Sequence, residues 1–258
     1  MKEELPILYY DEHLIAIDKP AGLLVHRTVL DRHETRFAVQ LLRDQIGQHV
    51  YPVHRLDRGT SGVLLFALSR EIGRSLSAQF EAQQVDKTYL AVVRGHPGEA
   101  GHIDHPLTRQ FDDYEFRRPD SVGEAQSAVT DYRRLAVTEL PYRVDLYPTS
   151  RYALLELKPQ TGRRHQLRRH LKHLAHPIIG DATYGKGRHN RLFQQLFNCH
   201  RLLLACLEMQ ITHPLSGLPL TLSAPLALDF ESVLNGLGWK EPRKAVDHSE
   251  HGEHNGKQ

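Results

Sequence analysis

Cysteine is nearly absent from this chain, and so is any long apolar run. The 258 residues hold two cysteines, Cys199 and Cys206, at a spacing that fits no zinc-binding pattern. A disulfide-stapled secreted scaffold is thereby excluded, and two thiols in so long a chain point to a reducing compartment. No stretch approaches the roughly 20 apolar residues of a membrane-spanning helix. Met1 to Pro20 lacks the apolar core of a signal peptide, so a soluble, cytoplasmic protein is expected, with no membrane partner. Net charge is also scarce, formally +2, which alone argues poorly for a polyanionic partner. The zinc deaminase signature, an H-x-E paired with P-C-x-x-C, is missing. No internal repeat is present.

What the chain does have is arginine: 24 of its 33 basic residues. Arginine presents a planar fork that matches phosphate, where lysine offers a point charge; a GC-rich coding sequence would raise the count just as well. Hydrophobic residues make up 40%, enough for a sizeable core. Eighteen histidines invite a metal reading. However, His170, His173 and His176 step by three, which spreads them around a helix, and His248, His251 and His254 sit in a polar tail. No metal is expected.

Periodicity predicts short strands at 7–10 and 14–17 around an Asp11-Glu12-His13 turn, a helix over 38–46, and a buried strand at 63–68. A helix over 71–84 and strands at 88–93, 128–135 and 152–157 follow. Residues 96–127, including Phe111 to Tyr114 and Arg117-Arg118-Pro119, read as a polar, irregular excursion. The clearest helix is 163–175, with Leu167, Leu171 and Leu174 on one stripe and Pro177 beyond its end. Further strands fall at 202–204 and 209–211. The mixture lacks a strict βαβ rhythm, which favours α+β with a mainly antiparallel sheet. One domain over 1–239 and a polar, disordered tail over 240–258 are expected.

Three segments carry chemistry. In His54-Arg55-Leu56-Asp57-Arg58-Gly59-Thr60-Ser61-Gly62, Asp57 lies between two arginines just before a buried strand. Such neighbours favour the carboxylate form, a usable nucleophile or base; a surface loop with an Asx-turn has the same composition. In Thr161-Gly162-Arg163-Arg164-His165-Gln166-Leu167-Arg168-Arg169-His170, Gly162 permits close approach of another backbone. Arg168 flanks the apolar stripe of the helix, and an Arg half-buried there needs a carboxylate partner. Otherwise the segment reads as a solvated basic face. In the strand Lys87-Thr88-Tyr89-Leu90-Ala91-Val92-Val93, Lys87 and Tyr89 share a face. A Tyr so placed either packs in the core or stacks on a base.

Taken in order, these segments resemble the RluA-type pseudouridine synthases, whose motifs are HRLD-x-x-TSG, K-x-Y-x-A-x-V-x-G and GR-x-HQLR-x-H. Lys19-Pro20-Ala21-Gly22 matches an early K-P-x-G element, and the resemblance spans about residues 7 to 225. It implies a pseudouridine synthase fold, a central, mainly antiparallel sheet split by a basic cleft, and an isomerase that needs no cofactor. It implies Asp57 as the catalytic Asp, Arg168 as its Arg partner and Tyr89 as the aromatic on the target base. Arg55 would fill the space left by a flipped nucleotide. His54, Lys87, Arg163, Arg164, Arg169 and Lys172 are expected on the RNA-binding side. Arg43 to Val50 and His176 to Asp181 resemble the branch that modifies uridine 65 of tRNA, making tRNA the expected partner. A ribosomal RNA enzyme of the same family and a non-catalytic RNA-binding module are the alternatives. One departure stands out: many relatives have Leu-His-Ala where this chain has Leu204-Ala205-Cys206.

Overall fold

The structure is a computed structural model that describes residues 3–26, 34–110 and 123–240. The runs 111–114 and 117–119 and the polar tail after Lys240 lie outside the described residues. Five helices and twelve strands are found among the described residues. In chain order the strands are β1 (Ile7–Tyr10), β2 (Leu14–Lys19), β3 (Tyr51–Pro52), β4 (Ser61–Ala67), β5 (Asp86–Arg94) and β6 (Ala100–Asp104). They continue as β7 (Leu107–Thr108), β8 (Ala125–Gln126), β9 (Val129–Leu140), β10 (Ser150–Pro159), β11 (Leu204–Thr212) and β12 (Pro219–Ser223). The helices are α1 (Ala38–Ile46), α2 (Arg70–Glu81), α3 (Gln166–His173), α4 (Gly187–Phe197) and α5 (Leu228–Gly236).

Ten strands form one sheet, ordered β1-β2-β4-β11-β5-β10-β9-β6, with β12 added to β11 and β3 to β4. Its pairings are antiparallel except between β4 and β11. The sheet carries an apolar layer on each face, as its sequence alternation requires. Along β5, Tyr89, Ala91 and Val93 enter one core, and Leu90 and Val92 the other. Along β11 the parity switches: Leu204 and Cys206 share a core with Met209 and Ile211. A register shift between Cys206 and Glu208 supplies the extra residue. Helices α1, α2 and α3 cover the first face through Leu42, Leu76 and Leu171. Helices α4 and α5 cover the second through Phe193 and Phe230.

Two sequence expectations are corrected, and two helices are new. The excursion over 96–127 contains β6, paired along β9, and the short β7–β8 pair. Only Ile103 of β6 is buried, so an edge strand this polar leaves almost no periodic signal. Helix α3 starts at Gln166, not Arg163, because His165 adopts a left-handed backbone (φ 55°) at its N-cap. Helices α4 and α5 were not anticipated.

Buried Lys19 ends β2 and works as a clasp. Its Nζ donates to the carbonyls of Pro20 (2.9 Å), Leu23 (2.8 Å) and Arg58 (3.2 Å), fastening the Pro20–Gly22 turn to the residue after Asp57. Burial, with Arg201 nearby, pushes its pKa down to about 7, while Asp57 and Asp18 pull upward. Lys19→Met is expected to strip those carbonyls of a donor and cost roughly 2–4 kcal/mol. Urea denaturation checks this; a loss under about 0.5 kcal/mol would show that the clasp is dispensable.

Candidate active site

Asp57 sits in the turn that launches β4, with its carbonyl accepting from Thr60 N at 3.0 Å. The turn lies at the parallel seam of the sheet, where Ser61 and Gly62 of β4 meet Ala205 and Cys206 of β11. Gly62 (φ 104°) is required there: a Cβ would lie 2.0 Å from the Cys206 carbonyl oxygen. The seam therefore places Asp57 at the floor of a cleft of about 490 Å³.

Arg168 reaches this floor from α3. Its Nη1 donates to Asp57 Oδ2 at 3.0 Å. Its Nε and Nη2 donate to Asp181 Oδ2 and Oδ1 at 2.7 and 2.9 Å. The guanidinium is thus clamped bidentately by one carboxylate and offers its remaining edge to the other. The Asp181 side chain is fully buried and also accepts from the backbone N–H groups of Thr183 and Tyr184. Burial would raise the Asp181 pKa, but Arg168 and those N–H donors overcome it and hold it below the usual carboxylate range. Burial likewise opposes the charge on Arg168, and the two carboxylates more than reverse that. The Arg168 guanidinium also lies 5.0 Å from the Tyr184 ring centroid.

His165 completes the floor. Its Nε2 lies 3.7 Å from Asp57 Oδ1, and its Nδ1 lies 3.0 Å from the Tyr184 hydroxyl. Burial lowers its pKa against the pull of Asp57. Gln166 holds the left-handed turn in place. Its Oε1 accepts from Thr161 Oγ1 and Arg163 N, and its Nε2 donates to the Val129 carbonyl and Thr130 Oγ1. All four of its hydrogen-bonding positions are occupied, as a buried amide requires.

Tyr89 and Lys87, two residues apart on β5, both line the cleft. Tyr89 is buried, and burial with Cys206 and Asp57 nearby raises its pKa well above the ordinary value, so it stays a neutral phenol. Lys87 Nζ lies 5.9 Å from the Phe80 ring centroid. Arg55 is exposed at the cleft mouth. Arg163 and Arg164 line the cleft, whereas Arg169 and Lys172 do not; Lys172 lies 5.7 Å from the Tyr184 centroid instead.

His54 also lines the cleft, but its ring is committed to the protein. Nε2 accepts from Leu65 N at 3.0 Å, and the ring stacks on Phe80 with centroids 5.0 Å apart. A backbone N–H can only donate, so His54 is neutral with its proton on Nδ1. Burial and nearby Lys87 push its pKa down to about 3. Between pH 6.5 and 3 the unfolded chain binds a proton at this site that the folded chain refuses, so stability falls as pH falls. The expected slope from His54 is up to about 1.4 kcal/mol per pH unit. His54→Gln should flatten the acid limb of a stability–pH profile; an unchanged limb would mean that the folded protein accepts the proton.

Sequence reading missed Asp181, Tyr184 and His165 as parts of the site. Arg168 itself held the clue: five donors on a buried fork exceed what one carboxylate can take. Among the described residues, no group of three or more His, Cys, Asp or Glu is placed to hold a metal ion. No helix among them is long and apolar enough to cross a membrane.

A carboxylate fixed by an Arg–Asp pair, in a basic cleft on this sheet that an aromatic also lines, places the chain among known proteins. Residues 13–173 match the family model described as RNA pseudouridylate synthase, and the chain belongs to that family. Among curated proteins it is similar to one from Pectobacterium carotovorum subsp. carotovorum, 55% identical over 238 residues, covering 92% of this chain and 63% of that protein. A relative from Vibrio cholerae is 51% identical over 237 residues, covering 92% of this chain and 97% of its own length. Both are named tRNA pseudouridine synthase C. A solved structure, Human RNA Pseudouridylate Synthase Domain Containing 4, matches with TM-score 0.66 and 28% identity over 92% of this chain and 94% of the other. Human RNA Pseudouridylate Synthase Domain Containing 1 matches with TM-score 0.67 and 25% identity over 88% and 85%.

Proposed function

We propose that this protein isomerises a uridine of tRNA to pseudouridine, at position 65 in the T-stem, in the cytoplasm, with Asp57 as the catalytic carboxylate. The observation that carries the reading is the Asp57–Arg168–Asp181 array at the cleft floor. The names of the curated relatives support the tRNA substrate. The branch-like stretches Arg43 to Val50 and His176 to Asp181 support the position.

The reaction breaks the N1–C1′ bond, turns the uracil and joins C5 to C1′. The proton at C5 is lost and N1 gains one, so the step is redox-neutral and calls for no cofactor. The target nucleotide must leave its stack, at a cost of a few kcal/mol. Arg55 at the cleft mouth offsets part of this by entering the gap. Tyr89 packs on the uracil and helps exclude water while the base is detached. Asp57 acts on the ribose, either attacking C1′ or taking the 2′ proton, and Arg168 fixes its orientation. Arg163, Arg164, Arg169 and Lys172 meet the phosphate backbone, which makes affinity salt-dependent.

Release of tritium from tRNA carrying [5-³H]uridine tests the chemistry, because forming the C5–C1′ bond expels that hydrogen. Release that depends on this protein supports the proposal, and its absence from every tRNA tried would refute it.

A further inference from the structure

Joining uracil C5 to C1′ leaves a hydrogen on C5 that must depart as a proton, a task separate from the work of Asp57 at the ribose. Several side chains of the cleft carry lone pairs. His54 has its Nε2 lone pair filled by Leu65 N–H. Tyr89 is held as a neutral phenol, a weak acceptor beside an imidazole. Lys87 Nζ lies over the Phe80 ring, the place of an ammonium. Glu81 is exposed. His165 differs from all four.

Neither backbone nor capping explains a histidine at 165. Its left-handed φ of 55° favours glycine or asparagine, and its side chain caps no N–H of α3. What the side chain does is bridge two groups. Nδ1 meets the Tyr184 hydroxyl at 3.0 Å. Nε2 faces Asp57 Oδ1 at 3.7 Å, beyond hydrogen-bond reach, so the carboxylate does not consume this nitrogen. His165 lines the cleft next to the group that works on the ribose. With the proton on Nδ1, donated to Tyr184 Oη, Nε2 keeps its lone pair. Burial, with Arg168 and Arg164 nearby, lowers the ring's pKa against the pull of Asp57 and Asp181, which favours the neutral form that can accept.

We infer that His165 is a second catalytic residue, its Nε2 taking the proton that C5 sheds, and that Tyr184 is the positioning residue that fixes its ring; both roles rest on the uridine chemistry proposed above. Once C5 has attacked C1′, the uracil holds an N1=C6 double bond and a saturated C5. The C5–H bond then breaks and its proton passes to Nε2. Its electron pair forms C5=C6, the N1=C6 pair moves onto N1, and N1 takes a proton from water. The imidazolium, steadied by the Asp57 carboxylate, returns its proton to water. The step is balanced in protons and electrons.

Single-turnover kinetics on tRNA made with [5-²H]uridine or with ordinary uridine test these roles. His165→Gln should lower the rate about 10²-fold or more with tRNA affinity little changed, and its deuterium isotope effect should exceed that of wild type. His165→Gly suits the left-handed backbone, so the turn survives. Added imidazole should restore its turnover, more strongly as pH rises and imidazole loses its proton. Tyr184→Phe keeps the ring on Arg168 but removes the hydroxyl, and should show a smaller loss with the same rise in isotope effect. Turnover of His165→Gln near wild type, or a loss with no rise in the isotope effect, would overturn the assignment. So would a His165→Gly variant that melts like wild type and is not rescued. Wild-type protein that forms no pseudouridine in any tRNA would refute the proposed function itself. Pseudouridine formed equally well by wild type and His165→Gln would refute this role alone.

Discussion

Asp57→Asn is expected to leave tRNA affinity within about threefold of wild type and to reduce turnover by at least roughly 10³-fold. The amide keeps the shape of the carboxylate and can still accept from Arg168 Nη1, now at 3.0 Å from Asp57 Oδ2. What it loses is the negative charge needed to attack C1′ or to take the 2′ proton. Binding survives because it comes from arginines elsewhere on the cleft and from phosphate contacts. Single-turnover kinetics with saturating enzyme separate the two effects. Turnover near wild type would remove Asp57 from the chemistry and favour an RNA-binding role for the cleft.

The second large effect is expected at Asp181, which never touches the substrate in this account. Asp181→Ala takes two of the three carboxylate bonds from Arg168 and leaves a largely buried guanidinium held by Asp57 alone. Breaking a buried pair in this way costs about 3–5 kcal/mol. The released Arg168 would no longer fix Asp57, so kcat should fall about 10²-fold or more with KM little changed. Asp181→Asn keeps one acceptor and should fall between. Urea denaturation and a kcat-against-KM comparison check both parts. Wild-type stability and kcat in Asp181→Ala would show that Arg168 needs no second anchor.

The two acids differ in how far the sequence reveals them. Asp57 was legible because its neighbours are local: arginines at 55 and 58, glycines at 59 and 62, and the apolar run of β4 immediately after. Arg168 was legible from helical geometry, which set it beside the Leu167 and Leu171 stripe. Asp181 was not. Its partner lies thirteen residues away across the end of α3, and nothing local distinguishes it from the other acids of the chain. The same holds for Tyr184 and its contact with His165, since the left-handed residue that starts α3 is not glycine. The helix stripe suggested a start at Arg163, and the buried Gln166 hydrogen bonds decide against it.

In the sheet, β2, β4 and β5 could be read because burial writes apolar runs or strict alternation into them. Edge strand β6 could not, because one buried residue, Ile103, is too little pattern. Helix α4 has Leu192 and Phe193 buried on one side, but glycine and polar residues at its start mask the signal. Of the expected RNA-facing residues, His54 proved to be bound to the backbone of β4. Its position in the motif is explained by the folding of the loop that carries Asp57, and a sequence motif does not separate that role from substrate contact.

The measurement that bears most directly on the central claim is a map of pseudouridine in unmodified total tRNA and, separately, unmodified ribosomal RNA after incubation with this protein. Chemical labelling and primer extension would read the sites, with Asp57→Asn as the control. One new pseudouridine is expected, at position 65 of the tRNA T-stem, and it should be absent with the variant. New sites confined to ribosomal RNA would contradict the substrate, and a site at position 65 that persists with Asp57→Asn would contradict the mechanism.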